Sequence, residues 1–471
     1  MEKGKIDVKI GLEIHLGLNT ATKLFCGCPI VEGEESHDIK PNTLVCEVCL
    51  GHPGSKPIVN SKALEFATKI AKALNCKLQK KIIFSRKSYF YPDMAKNYQI
   101  TQYEEPLGIN GKVKLGSGKE IGITRVHIEE DPAAIVHESK QSLVDYNRSG
   151  IPLAEVVTEP DMNSPEEARE FMNKLRVIVN YLEVYSPEGV IKADVNVSIA
   201  ESGFSRVEVK NVSGFKEIEK AIEYEINRQR AAVKHGTKII HETRFWDSEK
   251  GITISARTKE TEADYGYIYE PDLLEYNIPE VKIPELAEDK ASKFIKLKVA
   301  QDTANIIASE KEVAELYEEV VSQSKIDPVA AANWFRKELL RILNEQKANL
   351  LEKGLSKLKF GKKEIIELVS LLADKKITEE VGREILDKLV EGILKVSPTE
   401  YVKKQKLEKV SDDKVLEKLC EVAIKENPKA VSDYKSGEEK AINFLAGQVM
   451  KKSGGKADVE KVKKIILSKL K

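Results

Sequence analysis

Five short runs of this chain alternate an apolar side chain with an acid, an imidazole or a small polar group. That pattern restricts the fold more than any other feature. In Val8-Lys9-Ile10-Gly11-Leu12-Glu13-Ile14-His15-Leu16, the residues Ile10, Leu12, Ile14 and Leu16 share one face of an extended strand, which puts Glu13 and His15 on the other. Arg125-Val126-His127-Ile128-Glu129 sets His127 and Glu129 against Val126 and Ile128, and Glu155 is the one acid in Leu153-Ala154-Glu155-Val156-Val157. Asp194, Asn196 and Ser198 oppose Val195, Val197 and Ile199, and Val207-Glu208-Val209-Lys210 completes the series. A solvent-facing sheet carries mixed Lys, Thr and Glu, and that ordinary reading suffices for any one strand taken alone. The repetition of carboxylates and imidazoles argues differently. Like charges on neighbouring strands repel, so an acidic sheet face calls for a cation. Oxygen ligands with a histidine suit Mg²⁺ or Mn²⁺, the ions that accompany nucleotide phosphates. A metal-dependent, phosphate-handling cleft is expected if these strands are neighbours, which periodicity alone does not determine.

The text changes along the chain. Residues 1 to about 285 hold most of the Gly, Pro and Tyr and the alternating runs. From about 290, apolar residues recur at three- and four-residue spacing, as over Lys311 to Val321 and Lys362 to Ala373, which predicts amphipathic helices. Ile278-Pro279-Glu280-Val281-Lys282-Ile283-Pro284 joins the two regions, and a second break falls at Lys395-Val396-Ser397-Pro398. The expected organisation is α+β: a first domain over 1–288, an all-helical domain over 289–395 and a small helical tail over 396–471. Ser164-Pro165-Glu166-Glu167 carries a helix-start signature, predicting a helix from Pro165 to about Tyr181 over the apolar side of the sheet. No apolar run approaches the ~20 residues of a membrane span, and the first residues lack an apolar signal core, so a cytoplasmic protein without membrane contact is expected.

Charge is balanced overall, 76 Lys+Arg against 76 Asp+Glu, but unevenly distributed. From Lys395 to Lys471 there are 19 Lys and no Arg against 12 acids, a net of +7, so residues 1–394 carry −7. Most of that excess follows Asn443, around Lys451, Lys452, Lys456, Lys463 and Lys464. Lysines without arginines point to phosphate attraction rather than bidentate base reading; a solvated helix face is the ordinary alternative.

Cys26-Gly27-Cys28 and Cys46-Glu47-Val48-Cys49 form two close pairs separated by a polar loop. Four thiolates so spaced fit a tetrahedral structural Zn²⁺ site, with His37 and His52 as substitutes should one cysteine not ligate. Cys76 and Cys420 stand alone and are expected to be buried. No G-x-x-x-x-G-K-[ST] occurs, and Gly116-Ser117-Gly118-Lys119-Glu120 is expected to turn a hairpin, so a nucleotide would bind at a metal cradle and not at a P-loop.

The run Leu143-Val144-Asp145-Tyr146-Asn147-Arg148-Ser149-Gly150-Ile151-Pro152-Leu153-Ala154-Glu155-Val156-Val157-Thr158-Glu159-Pro160-Asp161 resembles the signature of the B subunits of tRNA-dependent aspartyl/glutamyl amidotransferases, the GatB family. The resemblance extends over essentially the whole chain. It takes in Gly11 to His15, Ser85 to Asp93, Lys96 to Gln102, Glu208 to Asn211 and Ala441 to Gln448, and it lacks the large insertion of the related archaeal GatE. It implies a glutamine-synthetase-like cradle domain and a YqeY-like tail. It also implies ATP-dependent phosphorylation of the side-chain carboxylate of misacylated Asp-tRNA(Asn) or Glu-tRNA(Gln), followed by amidation. By the same resemblance His15, Glu129 and Glu155 are the metal ligands, with Glu130 the alternative to Glu129; strand alternation prefers Glu129. Glu13, Asp194 and Glu208 line the site with Lys210, and Glu13 and Lys87 join His15 and Glu155 in the chemistry. Arg86 and Lys87 suit phosphate or the acidic substrate, and Tyr89, Tyr91 and Tyr98 suit stacking on the terminal adenosine of tRNA; core packing is the alternative for the tyrosines. No Gly/Ser-rich amidase signature and no glutaminase Cys-His pair occurs, so ammonia would come from a glutaminase A subunit, with a small C subunit completing a heterotrimer. The competing readings are a non-catalytic, zinc-stabilised RNA-binding protein and a metal-dependent nuclease.

Overall fold

The computed structural model describes residues 7–31, 38–185, 191–258, 265–345, 361–409, 413–436, 438 and 440–470. Two compact units result, Met1–Leu286 and Ala287–Lys471.

The first unit is built on a nine-stranded sheet. Read from one edge, the strands are Ile252–Thr258, Glu242–Asp247, Val207–Ser213, Lys192–Ile199, Val8–Gly17, Pro152–Thr158, Glu120–Glu130, Gly108–Lys114 and Lys77–Leu78. All neighbours run antiparallel except Val207–Ser213 with Glu242–Asp247. The alternating runs recognised in the sequence therefore lie side by side at the centre. His15 is opposite Glu155, Glu155 opposite His127, Glu13 opposite Asp194 and Asn196 opposite Glu208. Residues directly opposite in a ladder point to the same face, so all the acids and imidazoles emerge on one side. The hairpin between Gly108–Lys114 and Glu120–Glu130 turns at Gly118, whose φ of +88° suits a residue without a Cβ.

The other face is apolar. Ile10, Leu12, Ile14 and Leu16 are fully buried there, with Val195, Val197, Val126, Ile128 and Val156 beside them. Helices Ser61–Ala73, Pro165–Leu182 and Phe215–Lys234 cover this face. The second of these starts where the sequence places it. Ser164 caps it by accepting from the Glu167 N–H at 3.3 Å, and Pro165 occupies the first turn. The Glu167 carboxylate does not close a reciprocal box with Ser164; it accepts instead from the Asn163 N–H (2.7 Å) and from Lys119 (2.7 Å).

The second unit is helical throughout its described residues. Ala287–Lys296, Gln301–Ala308, Lys311–Gln323, Pro328–Trp334 continued by the π-helical Phe335–Leu339 into Leu340–Glu345, Lys362–Ala373, Glu379–Val390 and Pro398–Lys404 pack around one apolar cluster. At its centre Tyr317 meets Phe294 and Phe335 edge-on, at centroid distances of 4.6 and 5.6 Å. A second cluster forms from Asp413–Glu426, Pro428–Lys435, Lys440–Lys452 and Val459–Leu470 around Leu416, Leu445, Val449, Val462 and Ile466. The Thr378 hydroxyl donates to the Gly455 carbonyl at 2.6 Å and Lys409 pairs with Asp458 at 2.8 Å, tying the clusters together. Cys420 is buried in the second cluster as expected; Cys76 is only partly so, because the short strand beside it ends the sheet. No helix among the described residues is long and apolar enough to cross a membrane.

Candidate metal and phosphate cleft

The polar face of the sheet forms the floor of a cleft of about 630 Å³, whose lining includes Glu13, His15, Lys87, Tyr89, Glu129, Glu155, Asp194 and Lys210. At its centre His15 Nε2 lies 3.3 Å from Glu129 Oε1 and 3.5 Å from Glu155 Oε2. One ligand atom from each of these three residues lies within 4.8 Å of the others. His127 stands beneath, with Nε2 at 3.4 Å from Glu155 and 3.6 Å from Glu129. Its Nδ1 is buried without a hydrogen-bond partner among the described residues.

Such burial disfavours charge, yet the carboxylates hold theirs. Burial and the Glu155 charge push the Glu129 carboxyl up, but hydrogen bonds from His127 and His15 outweigh them and bring it down to about 2. Burial likewise opposes ionisation of Glu155, and the charges and hydrogen bonds of His127 and His15 hold it well below the usual range. The imidazoles respond in kind. Burial opposes their charge, but the two carboxylates raise His127 to about 9 and His15 well above its ordinary value. The site thus satisfies two buried negative charges with two protons. A divalent cation would satisfy them equally, and two carboxylates with one imidazole are the donor set that Mg²⁺ or Mn²⁺ accepts.

A second group of acids lies alongside. Lys210 Nζ is 2.9 Å from Asp194 and 3.4 Å from Glu208, Asn196 donates to Glu13 at 2.9 Å, and the Thr243 hydroxyl donates to Glu208 at 3.1 Å. Burial first, then the charges of Glu155, Glu208 and Asp194, raise the proton affinity of Glu13. Burial opposes the charge on Lys210, and Asp194 and Glu208 more than restore it.

Not every residue singled out in the sequence reaches this cleft. On the strand Ser85–Ser88, Lys87 turns towards it and Arg86 turns away. Arg86 is instead held bidentately by Glu270 (2.7 and 2.9 Å), approaches Asp272 at 3.3 Å and stacks 4.3 Å over the Tyr98 ring. Tyr89 lines the cleft; Tyr98, under the Arg86 guanidinium, and the half-exposed Tyr91 are outside its lining. Glu130 also faces away, receiving Lys96 at 2.6 and 2.7 Å and the Ile100 N–H at 2.8 Å. Conversely, Gln99, Asp131, Asn147, Arg148 and Lys192 line the cleft without having been singled out for it. Asp145 to Arg148 lie in the signature run, so a signal was present, but their direction depends on a loop. His127 carried its own signal, two residues before Glu129 on one strand face.

The four cysteines come together as the spacing suggested. One sulfur of each of Cys26, Cys28, Cys46 and Cys49 lies within 4.8 Å of the rest. Cys46 and Cys49 sulfurs are 3.9 Å apart, close to the ~3.8 Å edge of a tetrahedron with Zn–S bonds of ~2.3 Å. Hydrogen bonding with Cys26 first, and the charge of Lys23 in addition, lower the Cys49 thiol to about 5. His52 contributes nothing to the group, and His37 lies outside the described residues. In the tail, Lys451, Lys452 and Lys464 are exposed and Lys456 and Lys463 half-buried; Lys452 pairs with Glu426 at 2.7 Å.

Comparison with known proteins gives two family matches. Residues 8–284 match the model described as the GatB/GatE catalytic domain, and residues 315–470 match the one described as the GatB domain. The chain is 41% identical over 487 residues to the B subunit of the aspartyl/glutamyl-tRNA(Asn/Gln) amidotransferase of Methanoregula boonei, covering 99% of this chain and 98% of that one. The B subunits of the same name from Methanosarcina barkeri and Thermotoga petrophila are 42% and 41% identical, with 98% and 97% of both chains covered.

Proposed function

This chain belongs to the GatB family, the B subunits of aspartyl/glutamyl-tRNA(Asn/Gln) amidotransferases. On that premise we propose that its cleft uses ATP to phosphorylate the side-chain carboxylate of misacylated Asp-tRNA(Asn), Glu-tRNA(Gln) or both, and then converts the acyl phosphate to the amide with ammonia. The observation that carries this reading is the convergence of His15, Glu129 and Glu155 on the cleft floor.

The chemistry follows from a weak leaving group. A carboxylate does not yield its oxygen to an amine, and phosphorylation converts that oxygen into one that leaves readily. His15, Glu129 and Glu155 would hold a Mg²⁺ or Mn²⁺ ion, which when bound would supply charge neutralisation for the phosphoryl transfer. Lys87, on the cleft wall, presents an ammonium to the phosphoryl oxygens. Asp194 and Glu208 engage Lys210 and keep its charge beside the acceptor. Glu13, with its raised proton affinity, takes up the proton that ammonia loses as the C–N bond forms and phosphate departs. Tyr89 provides a flat aromatic surface at the same wall for the terminal base of the tRNA. Cys26, Cys28, Cys46 and Cys49 would hold a structural Zn²⁺. The lysines of Lys440–Lys452 and Val459–Leu470 attract the tRNA backbone. A glutaminase A subunit delivers ammonia and a small C subunit completes the heterotrimer.

The test is ATP hydrolysis that depends on misacylated tRNA, with partner subunits and ammonium supplied. Glu155→Gln and His15→Ala are expected to lower it by about 100-fold or more, since each removes one of the three groups that would hold the metal. Unchanged hydrolysis in both variants would overturn the cradle. Binding of tRNA with no tRNA-dependent ATP hydrolysis by the unsubstituted complex would favour the non-catalytic RNA-binding reading instead.

A further inference from the structure

Lys23 is fully buried, which is unusual for an ammonium group and requires a partner. Its Nζ donates to the Tyr146 carbonyl at 3.1 Å and approaches the Cys49 sulfur at 3.8 Å. Four thiolates around Zn²⁺ carry a net charge of about −2, so an ammonium against one sulfur offsets part of it. The backbone around the same residue connects the cysteine hairpin to the segment behind the cleft wall. The Lys23 N–H donates to the Cys28 carbonyl at 3.0 Å, within the cysteine hairpin, and the next residue's N–H, that of Leu24, donates to the Gly150 carbonyl at 2.8 Å. Gly150 in turn donates to the Asp131 carbonyl at 2.9 Å, at the end of the strand that carries Glu129. Gly150 has φ +89°, and a Cβ there would come within 3.4 Å of the Lys23 stem.

The second half of the cysteine loop is stitched to the same wall. Asn42 N–H donates to Asp145 (2.9 Å), Tyr146 N–H to the Asn42 side chain (2.7 Å), Leu44 N–H to Asn147 (2.7 Å), and the Asn147 amide to the Lys40 carbonyl (2.9 Å). Asp145, Asn147 and Arg148 line the cleft, and two residues after Leu44 comes Cys46.

We propose that Lys23 is a positioning residue that ties the four-cysteine site to the 142–150 wall of the cleft, so that metal in the cysteines keeps Asp145, Asn147 and Arg148 in place. This rests on the zinc reading above. Lys23 bridges the two by holding sulfur and the Tyr146 carbonyl with one amine. The zinc site then supports the chemistry rather than only the fold.

The experiment uses the full chain in its assembled complex. Zinc content is measured first; amide hydrogen exchange over residues 142–150 is then followed before and after chelation, with helix Pro165–Leu182 as the internal reference. Stripping the metal is expected to speed exchange over 142–150 by about 10-fold or more and to leave the reference helix unchanged. Lys23→Met is expected to give up zinc to a colorimetric chelator about 10-fold more readily and to loosen the same residues while zinc is still bound. A purified complex without zinc would overturn the zinc reading together with this one. Zinc present, with 142–150 unaffected by its removal, would overturn the coupling alone. Equal loosening of both segments on chelation would make the zinc a plain stabiliser and overturn the coupling, and equal loosening in Lys23→Met, or in Lys23→Arg where Lys23→Met does not fold, would overturn the positioning role of Lys23.

Discussion

Glu129 and Glu130 are sequence neighbours with opposite surroundings. Glu129 meets His15 and His127 on the cleft floor, while Glu130 is enclosed by Lys96 and the Ile100 N–H on the far side of the strand. Period-two alternation distinguishes them from sequence alone, because one face is polar and the next residue must take the other. The same rule applies to Arg86 and Lys87, which cannot share a face, though sequence does not say which of the two turns inward. Arg86 completes an ion pair with Glu270, whose side chain is 0% exposed. Arg86→Gln is expected to cost about 3 kcal/mol of stability by leaving that carboxylate without its cation, seen as a lower urea midpoint. The remaining folded protein should keep tRNA-dependent ATP hydrolysis, whereas Lys87→Met should lower hydrolysis with little change in midpoint. The reverse pattern would show that the faces are misassigned. Lys23 illustrates what was not legible: nothing local marks a lysine that will be fully buried, since its burial is created by Tyr146 and Cys49, far along the chain.

At the scale of elements, strands and helices were legible wherever one face is buried and the other wet. The run Val8 to Leu16 forms a strand, and Lys311–Gln323 and Lys362–Ala373 form helices, because the apolar period matches the geometry of each. Strand order was not legible. Val8–Gly17 sits between Pro152–Thr158 and Lys192–Ile199, pairings of long sequence separation that no local pattern encodes. The helical unit adds an electrostatic contact of its own, where Arg383 grips Glu338 bidentately at 2.9 and 2.7 Å. Hydrogen bonds from Arg383 lower the Glu338 carboxyl below its ordinary value of 4.5. A depressed carboxylate stabilises the fold fully above its unfolded value and loses that contribution as pH falls through the folded one. The gap in urea midpoint between the unsubstituted chain and Glu338→Gln should therefore be present at pH 7 and shrink below about pH 4.5. A gap that stays constant on acidification would contradict the pairing.

For the whole molecule, the zero net charge is the sum of two opposite allocations. The chain up to residue 394 carries −7, part of it in a cleft that asks for a cation, and the tail carries +7 as lysine. Replacing Lys451, Lys456, Lys463 and Lys464 by Ala should weaken tRNA binding and flatten its salt dependence, by about 0.7–0.9 in log–log slope for each phosphate no longer neutralised. Affinity that falls with an unchanged slope would mean that these lysines act through folding instead. The central claim is that the substrate carboxylate itself becomes the phosphoryl acceptor. It is tested most directly by supplying the assembled complex with misacylated tRNA whose side-chain carboxylate carries oxygen-18, together with ATP and ammonium. One labelled oxygen should appear in inorganic phosphate for each amide formed, since the carboxylate oxygen that attacks phosphorus leaves with it. Amide formed while the phosphate stays unlabelled would contradict the account.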